Sequence, residues 1–134
     1  MRILNEEYIF EMANYGPNRT GLDFPIWVDS AGVNRNKPDN ELRVKCKSVD
    51  KEHDITVSLE IEPQRLPLDN APKLKKQDEQ RLQDLKDFIK KHREAILAHQ
   101  NNIIDDTSLG IYFTEVKQGK SPKEALEKII QEQN

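Results

Sequence analysis

Two runs of strict alternation mark the first half of the chain. Leu42, Val44 and Cys46 alternate with Arg43, Lys45 and Lys47, and Ile55, Val57, Leu59 and Ile61 alternate with Thr56, Ser58, Glu60 and Glu62. Period two sets all the apolar side chains of a strand on one face, so the pattern predicts an antiparallel hairpin over 41–62 with one apolar and one charged face. Cross-strand partners must share a face, which makes the register testable on paper. A five-residue loop, Asp50–Asp54, sets Val44 against Glu60 and mixes the faces. A four-residue loop, Lys51–Asp54, sets Val44 against Ile61, Cys46 against Leu59, Arg43 against Glu62 and Lys45 against Glu60, and is the expected register. A six-residue loop keeps the faces too. Leu22, Phe24, Ile26 and Val28 predict a further strand over 22–29, with Pro25 and Trp27 on its other face. Pro25 has no N–H for a ladder, so this strand is expected at a sheet edge, or Pro25 at its start.

From residue 75 the period changes. Leu82, Leu85, Ile89, His92, Ile96 and His99 recur at spacings of three and four, and Phe88 and Leu97 widen the stripe, which predicts one helix over 75–100. Its length, about 39 Å at about 1.5 Å per residue, exceeds what a small sheet can cover, so part of it is expected to project or to pair with another chain. Asn101–Asn102 is a plausible stop. Asp106 or Thr107 caps a second helix carrying Leu109, Phe113 and Val116 on one face and ended by Gly119. Ser121, Pro122 and Glu124 form a capping box with proline in the first turn, opening a third helix that buries Leu126, Ile129 and Ile130. The short turn makes a helical hairpin of 107–118 against 122–132. Near the N-terminus, Asn5 as cap and Glu6 and Glu7 in a first turn favour a helix over 5–15 with Ile9, Met12 and Ala13 on one face; a strand through 8–12 is the competing reading. The expected fold is α+β in one domain, 1–134, with a sheet-rich part over 1–62 and a helical part over 75–134.

Hydrophobic residues make up 35% of the chain and charged residues 34%, which suits a modest core with solvated helices rather than full disorder. A net charge of −3 argues against nucleic-acid binding by overall charge and leaves only a local basic patch for it. A single cysteine, Cys46, excludes an internal disulfide and any multi-cysteine zinc site. No apolar run approaches the roughly 18 residues of a membrane helix, and the N-terminal MRILNEEYIF lacks a signal-peptide core, so a cytoplasmic setting is expected.

The order GLDFPIWVDS, then ELRVKCKS, resembles a motif of small uncharacterised bacterial and phage-associated proteins, in which a Gly-Leu-x-Phe-Pro-Ile-Trp-Val strand precedes a basic alternating strand. The resemblance covers residues 20–48. It implies a bacterial or mobile-element origin, and it transfers no activity and no catalytic residue.

Little in the residues suggests chemistry. Asp50, Glu52, His53 and Asp54 gather carboxylates and an imidazole, but neighbouring side chains at a hairpin tip diverge, and a solvated turn explains them. His92 and His99 share a helix face yet stand about 10.5 Å apart, too far to ligate one ion; across a helix dimer they would make an interface pH-sensitive. Cys46 reads as a small buried hydrophobe, and Ser108 and Ser121 as helix-start residues. No phosphate-binding loop or zinc-protease motif is present, so no catalytic residues, cofactor or metal are expected. The best recognition surface combines Trp27 with Arg35, Lys37 and Lys47, beside Tyr15, Arg43 and Lys45, with Glu60 and Glu62 expected to neutralise the last two. The leading expectation is a non-enzymatic interaction protein, self-associating as a homodimer through the seam Leu82, Leu85, Ile89, His92, Ile96 and His99. The alternative is a nucleic-acid-binding module using Trp27 and the basic 35–47 segment.

Overall fold

The computed structural model describes residues 12–66 and 73–133. In chain order these form β1 (Met12–Tyr15), α1 (Pro17–Thr20), β2 (Ile26–Asp29), β3 (Arg43–Lys47), β4 (Asp54–Ser58), α2 (Lys76–Gln100), α3 (Asp106–Lys117) and α4 (Pro122–Gln133). The strands make a four-stranded antiparallel sheet in the order β1-β2-β3-β4, and with the long helix and the two C-terminal helices the fold is α+β, as the sequence pattern predicts.

The sheet is an uninterrupted meander. One row across it runs Ala13, Val28, Val44, Val57, and the next on the opposite face runs Asn14, Trp27, Lys45, Thr56. The first row belongs to a core that also takes Tyr15, Ile26, Cys46 and Ile55 from the sheet, and Leu85, Ile89 and Ile96 from α2. Phe113 of α3 and Ile129 of α4 close the same core. Pro25 stands immediately before β2, which is the strand-start reading of that proline; the edge reading is corrected, because β2 lies between β1 and β3. Residues 12–15 are strand rather than helix: Tyr15 pairs with Ile26 and is buried, and Met12 and Ala13 fall on opposite faces. The rest of the 5–15 reading lies outside the described residues.

The hairpin keeps its expected faces but not its expected pairs. Val44 faces Val57, Cys46 faces Ile55, Arg43 faces Ser58 and Lys45 faces Thr56. The loop is four residues long when counted between Ser48 and His53, whose N–H···O bond of 2.8 Å closes it, but it is Val49–Glu52, two positions earlier than alternation suggested. Side chains fix this choice. Ser48 Oγ donates to Asp50 Oδ1 at 2.6 Å and accepts from His53 N at 3.1 Å, while Glu52 N donates to Asp50 Oδ1 at 3.0 Å. Lys51 completes the turn in the left-handed region at φ 66°. Glu60, Ile61 and Glu62 therefore leave the hairpin. The chain turns back there, and Ser58 N donates to Gln64 O at 2.9 Å and Leu66 N to Thr56 O at 2.8 Å.

Helix α2 spans 25 residues but is kinked at His92, which has φ −111° and ψ 15°. It ends at the asparagine pair, where Asn102 is left-handed at φ 62° and Ile103 N donates to Ala98 O at 2.8 Å. The next cap is Asp105, not Asp106 or Thr107: its side chain accepts from Ser108 N at 2.7 Å. Gly119, at φ 115°, carries the chain past the end of α3 in a conformation that penalises a side chain. Ser121 Oγ then accepts from Glu124 N at 3.2 Å, the half of the capping box that satisfies a free helix N–H.

Candidate functional site

The seam on α2 is turned inward. Leu85, Ile89, His92, Ile96 and His99 are all buried, and Leu82 is packed half-buried against the same core. The stripe packs on the sheet and on α3, and its side chains are buried on both sides of the kink at His92. A seam of these side chains between two copies is therefore corrected, because each chain already covers them.

Both seam histidines have partners from α3. His92 Nδ1 lies 2.8 Å from Tyr112 Oη, among the rings of Phe88, Tyr112 and Phe113. Burial pushes its pKa down to about 4, with the Lys91 charge adding to the effect. His99 is completely buried, and its Nε2 lies 2.5 Å from Asp106 Oδ1. Gln100 Nε2 donates to Asp29 O at 2.9 Å and approaches His99 Nδ1 at 3.0 Å, so Nδ1 is the acceptor and Nε2 carries the proton toward Asp106. Burial lowers the His99 pKa, opposed by the Asp106 carboxylate. Asp106 also accepts from Ala31 N at 3.0 Å, and its carbonyl accepts from Tyr15 Oη at 2.8 Å. This polar knot joins β1, the loop after β2, the end of α2 and the start of α3. A histidine–carboxylate pair can activate a nucleophile only through a free ring nitrogen. Here both ring nitrogens are taken, so the knot holds structure together rather than offering a base.

The recognition surface expected on the sheet is divided. Trp27 is half-buried, with Lys45 directly across from it on β3. Tyr15 belongs to the core. Arg43 lies 3.8 Å from the buried carboxylate of Asp29, which Asn34 also contacts. Lys45 and Lys47 both reach Asp54, at 3.6 Å and 2.6 Å. The neutralising acids are thus Asp29 and Asp54, not Glu62 and Glu60. Arg35 and Lys37 are exposed on a separate loop, tied to the end of α2 by the bond from Asn36 N to Asn101 Oδ1 at 3.3 Å.

The hairpin tip is a hydrogen-bonded turn. The Ser48 hydroxyl, then the Glu52 N–H, hold the Asp50 pKa down at about 2. Among the described residues, no three His, Cys, Asp or Glu side chains gather in a metal-binding geometry. Burial raises the Cys46 pKa to about 12, which keeps the thiol protonated and inert as a nucleophile. No helix of the described residues is long and apolar enough to cross a membrane.

A groove of about 810 Å³ lies between α2 and α4. Ala95 and Tyr112 form its floor, the half-buried Leu126 and Ile130 its wall, and Ile61 stands on its rim. Ile61 is 73% exposed, the most exposed large hydrophobic among the described residues. The charges along the groove are Lys90, Lys91, Arg93 and Lys123 against Glu62, Glu94 and Glu127. Two of the cations are held inside the chain: Lys90 pairs with Glu62 at 2.9 Å, and Arg93 pairs with Asp39 and donates to Leu59 O at 2.8 Å. Sequence reasoning missed this site because it placed Ile61 inside the hairpin. The signal was present in the residues that follow, where Glu62-Pro63 ends the alternation. The chain matches no protein-family model, no curated protein and no solved structure.

Proposed function

We propose that this chain is a non-enzymatic interaction protein that self-associates through the groove between α2 and α4. The observation that carries the reading is the exposed Ile61 beside the half-buried Leu126 and Ile130, an apolar strip rimmed by charge. Apolar surface of this kind, bordered by polar residues, is what interaction sites present. A second copy is the occupant because the charges balance. With Arg93 held by Asp39, three lysines and three glutamates border the strip, and a surface of both signs can face itself across a twofold axis. The long helix still contributes, but by its outer flank rather than its seam.

The nucleic-acid alternative draws less support, since the Asp29 and Asp54 carboxylates sit among the cations around Trp27. Sedimentation equilibrium of the full chain from low to high micromolar concentration tests the proposal. A monomer–dimer equilibrium that Ile61→Glu shifts to monomer is the expected result. A strict monomer throughout, or a dimer indifferent to Ile61→Glu, would refute it.

A further inference from the structure

We infer that the groove selects its second copy in one orientation, with α2 of one copy antiparallel to α4 of the other, through Lys91, Glu94, Lys123 and Glu127. The inference rests on the self-association proposed above and specifies the contact that would discriminate among ways of docking. All four side chains are exposed and line the groove. Their neighbours are engaged elsewhere: Lys90 by Glu62, Arg93 by Asp39, and Lys128 by Glu115 at 3.1 Å. Among the described residues, Lys91, Glu94, Lys123 and Glu127 take part in no ion pair within the chain.

Their order along the helices carries the argument. On α2 the cation precedes the anion by three residues, on either side of the kink at His92. On α4 the cation again precedes the anion, by four residues or about 6 Å. Two helices that both run from positive to negative are complementary only head to tail. Antiparallel docking sets Lys91 against Glu127 of the other copy and Glu94 against its Lys123. Parallel docking sets like against like at both places. Twofold symmetry repeats each contact, doubling both the attraction and the penalty. Exposed ion pairs are individually weak, so these four charges choose orientation, while Ile61, Leu126 and Ile130 supply the apolar contact.

Charge exchange tests this directly. Sedimentation equilibrium at low salt is measured for the wild type, for K91E/E94K, for K123E/E127K and for the quadruple variant, with thermal unfolding of each confirming that the fold is intact. Each double variant is expected to weaken dimerisation about tenfold or more, an effect of the size that like-charge juxtaposition produces. The quadruple variant, complementary again, is expected to return to within about threefold of the wild type. Double variants that dimerise as the wild type does, or a folded quadruple variant that fails to recover, would overturn the orientation and leave self-association standing. A monomeric wild type would overturn both.

Discussion

The inner face and the outer flank of α2 belong to one helix, yet their side chains have opposite surroundings. Inward, Leu85, Ile89, His92, Ile96 and His99 lie in a core shared with the sheet and α3, and even the two imidazoles have partners there. Outward, Lys91 and Glu94 stand in solvent beside a groove whose rim residue, Ile61, is mostly exposed. The apolar stripe that looks like an oligomer seam is thus what builds the monomer. The surface left uncovered is the stretch that periodicity treats as ordinary solvated helix. An amphipathic stripe reports that something covers it, and burial decides whether the cover is intramolecular.

Substitution on the inner face should produce the largest change. Ile96→Ala is expected to cost about 2–5 kcal/mol of stability, read from urea unfolding, because Ile96 is fully buried. If the seam lay between chains instead, that loss would depend on protein concentration.

Acid should act next. The neutral form of His92 is favoured in the fold, with a pKa of about 4 against an ordinary 6.5. The unfolded chain therefore binds a proton that the native chain refuses, and stability is full above about pH 6.5 and lost as pH falls toward 4. His99 shifts in the same direction and adds to the loss. At about 1.4 kcal/mol per unit, His92 alone contributes on the order of 3 kcal/mol. Thermal melts between pH 7 and 4 should show the slope. The double variant H92L/Y112F, which removes both hydrogen-bonding partners together, should make it shallower and leave the part that His99 adds.

A smaller effect tests the helix that walls the groove. Ser121→Ala removes the acceptor for Glu124 N and is expected to cost about 1 kcal/mol in a melting curve. Smallest of all is the effect of the outer flank on the isolated fold. Ile61→Glu should change monomer stability by no more than about 0.5 kcal/mol, as expected at an exposed site, while lowering self-association. A large loss of stability would mean that Ile61 belongs to the monomer's own packing.

Much of this architecture was legible in the residues, and the exceptions share a cause. Alternation fixed the faces of the hairpin but not its pairs, because sliding one strand by an even number of positions leaves the faces unchanged. Ser48 and Asp50 made the choice through hydrogen bonds that no periodicity records. The helix periods located α2, α3 and α4 closely, but a kink at His92 leaves no mark on a 3,4 spacing. The polar knot was invisible for a related reason. Asp29 lies 71 residues before Gln100, and Asp29, Gln100 and Asp106 each have an ordinary solvated role when read alone. Ile61 was misplaced by the register, and with it the groove.

On the reading proposed above, the inner face of α2 serves the monomer and its outer flank serves a second copy. A two-dimensional NMR dilution series of the unmodified chain tests it most directly. Concentration-dependent shifts are expected at Ile61, Lys91, Glu94, Lys123, Leu126 and Glu127, with Leu85, Ile89, Ile96 and Trp27 unmoved. Shifts centred on the seam or on the sheet face around Trp27, or none at all up to high micromolar concentration, would contradict it.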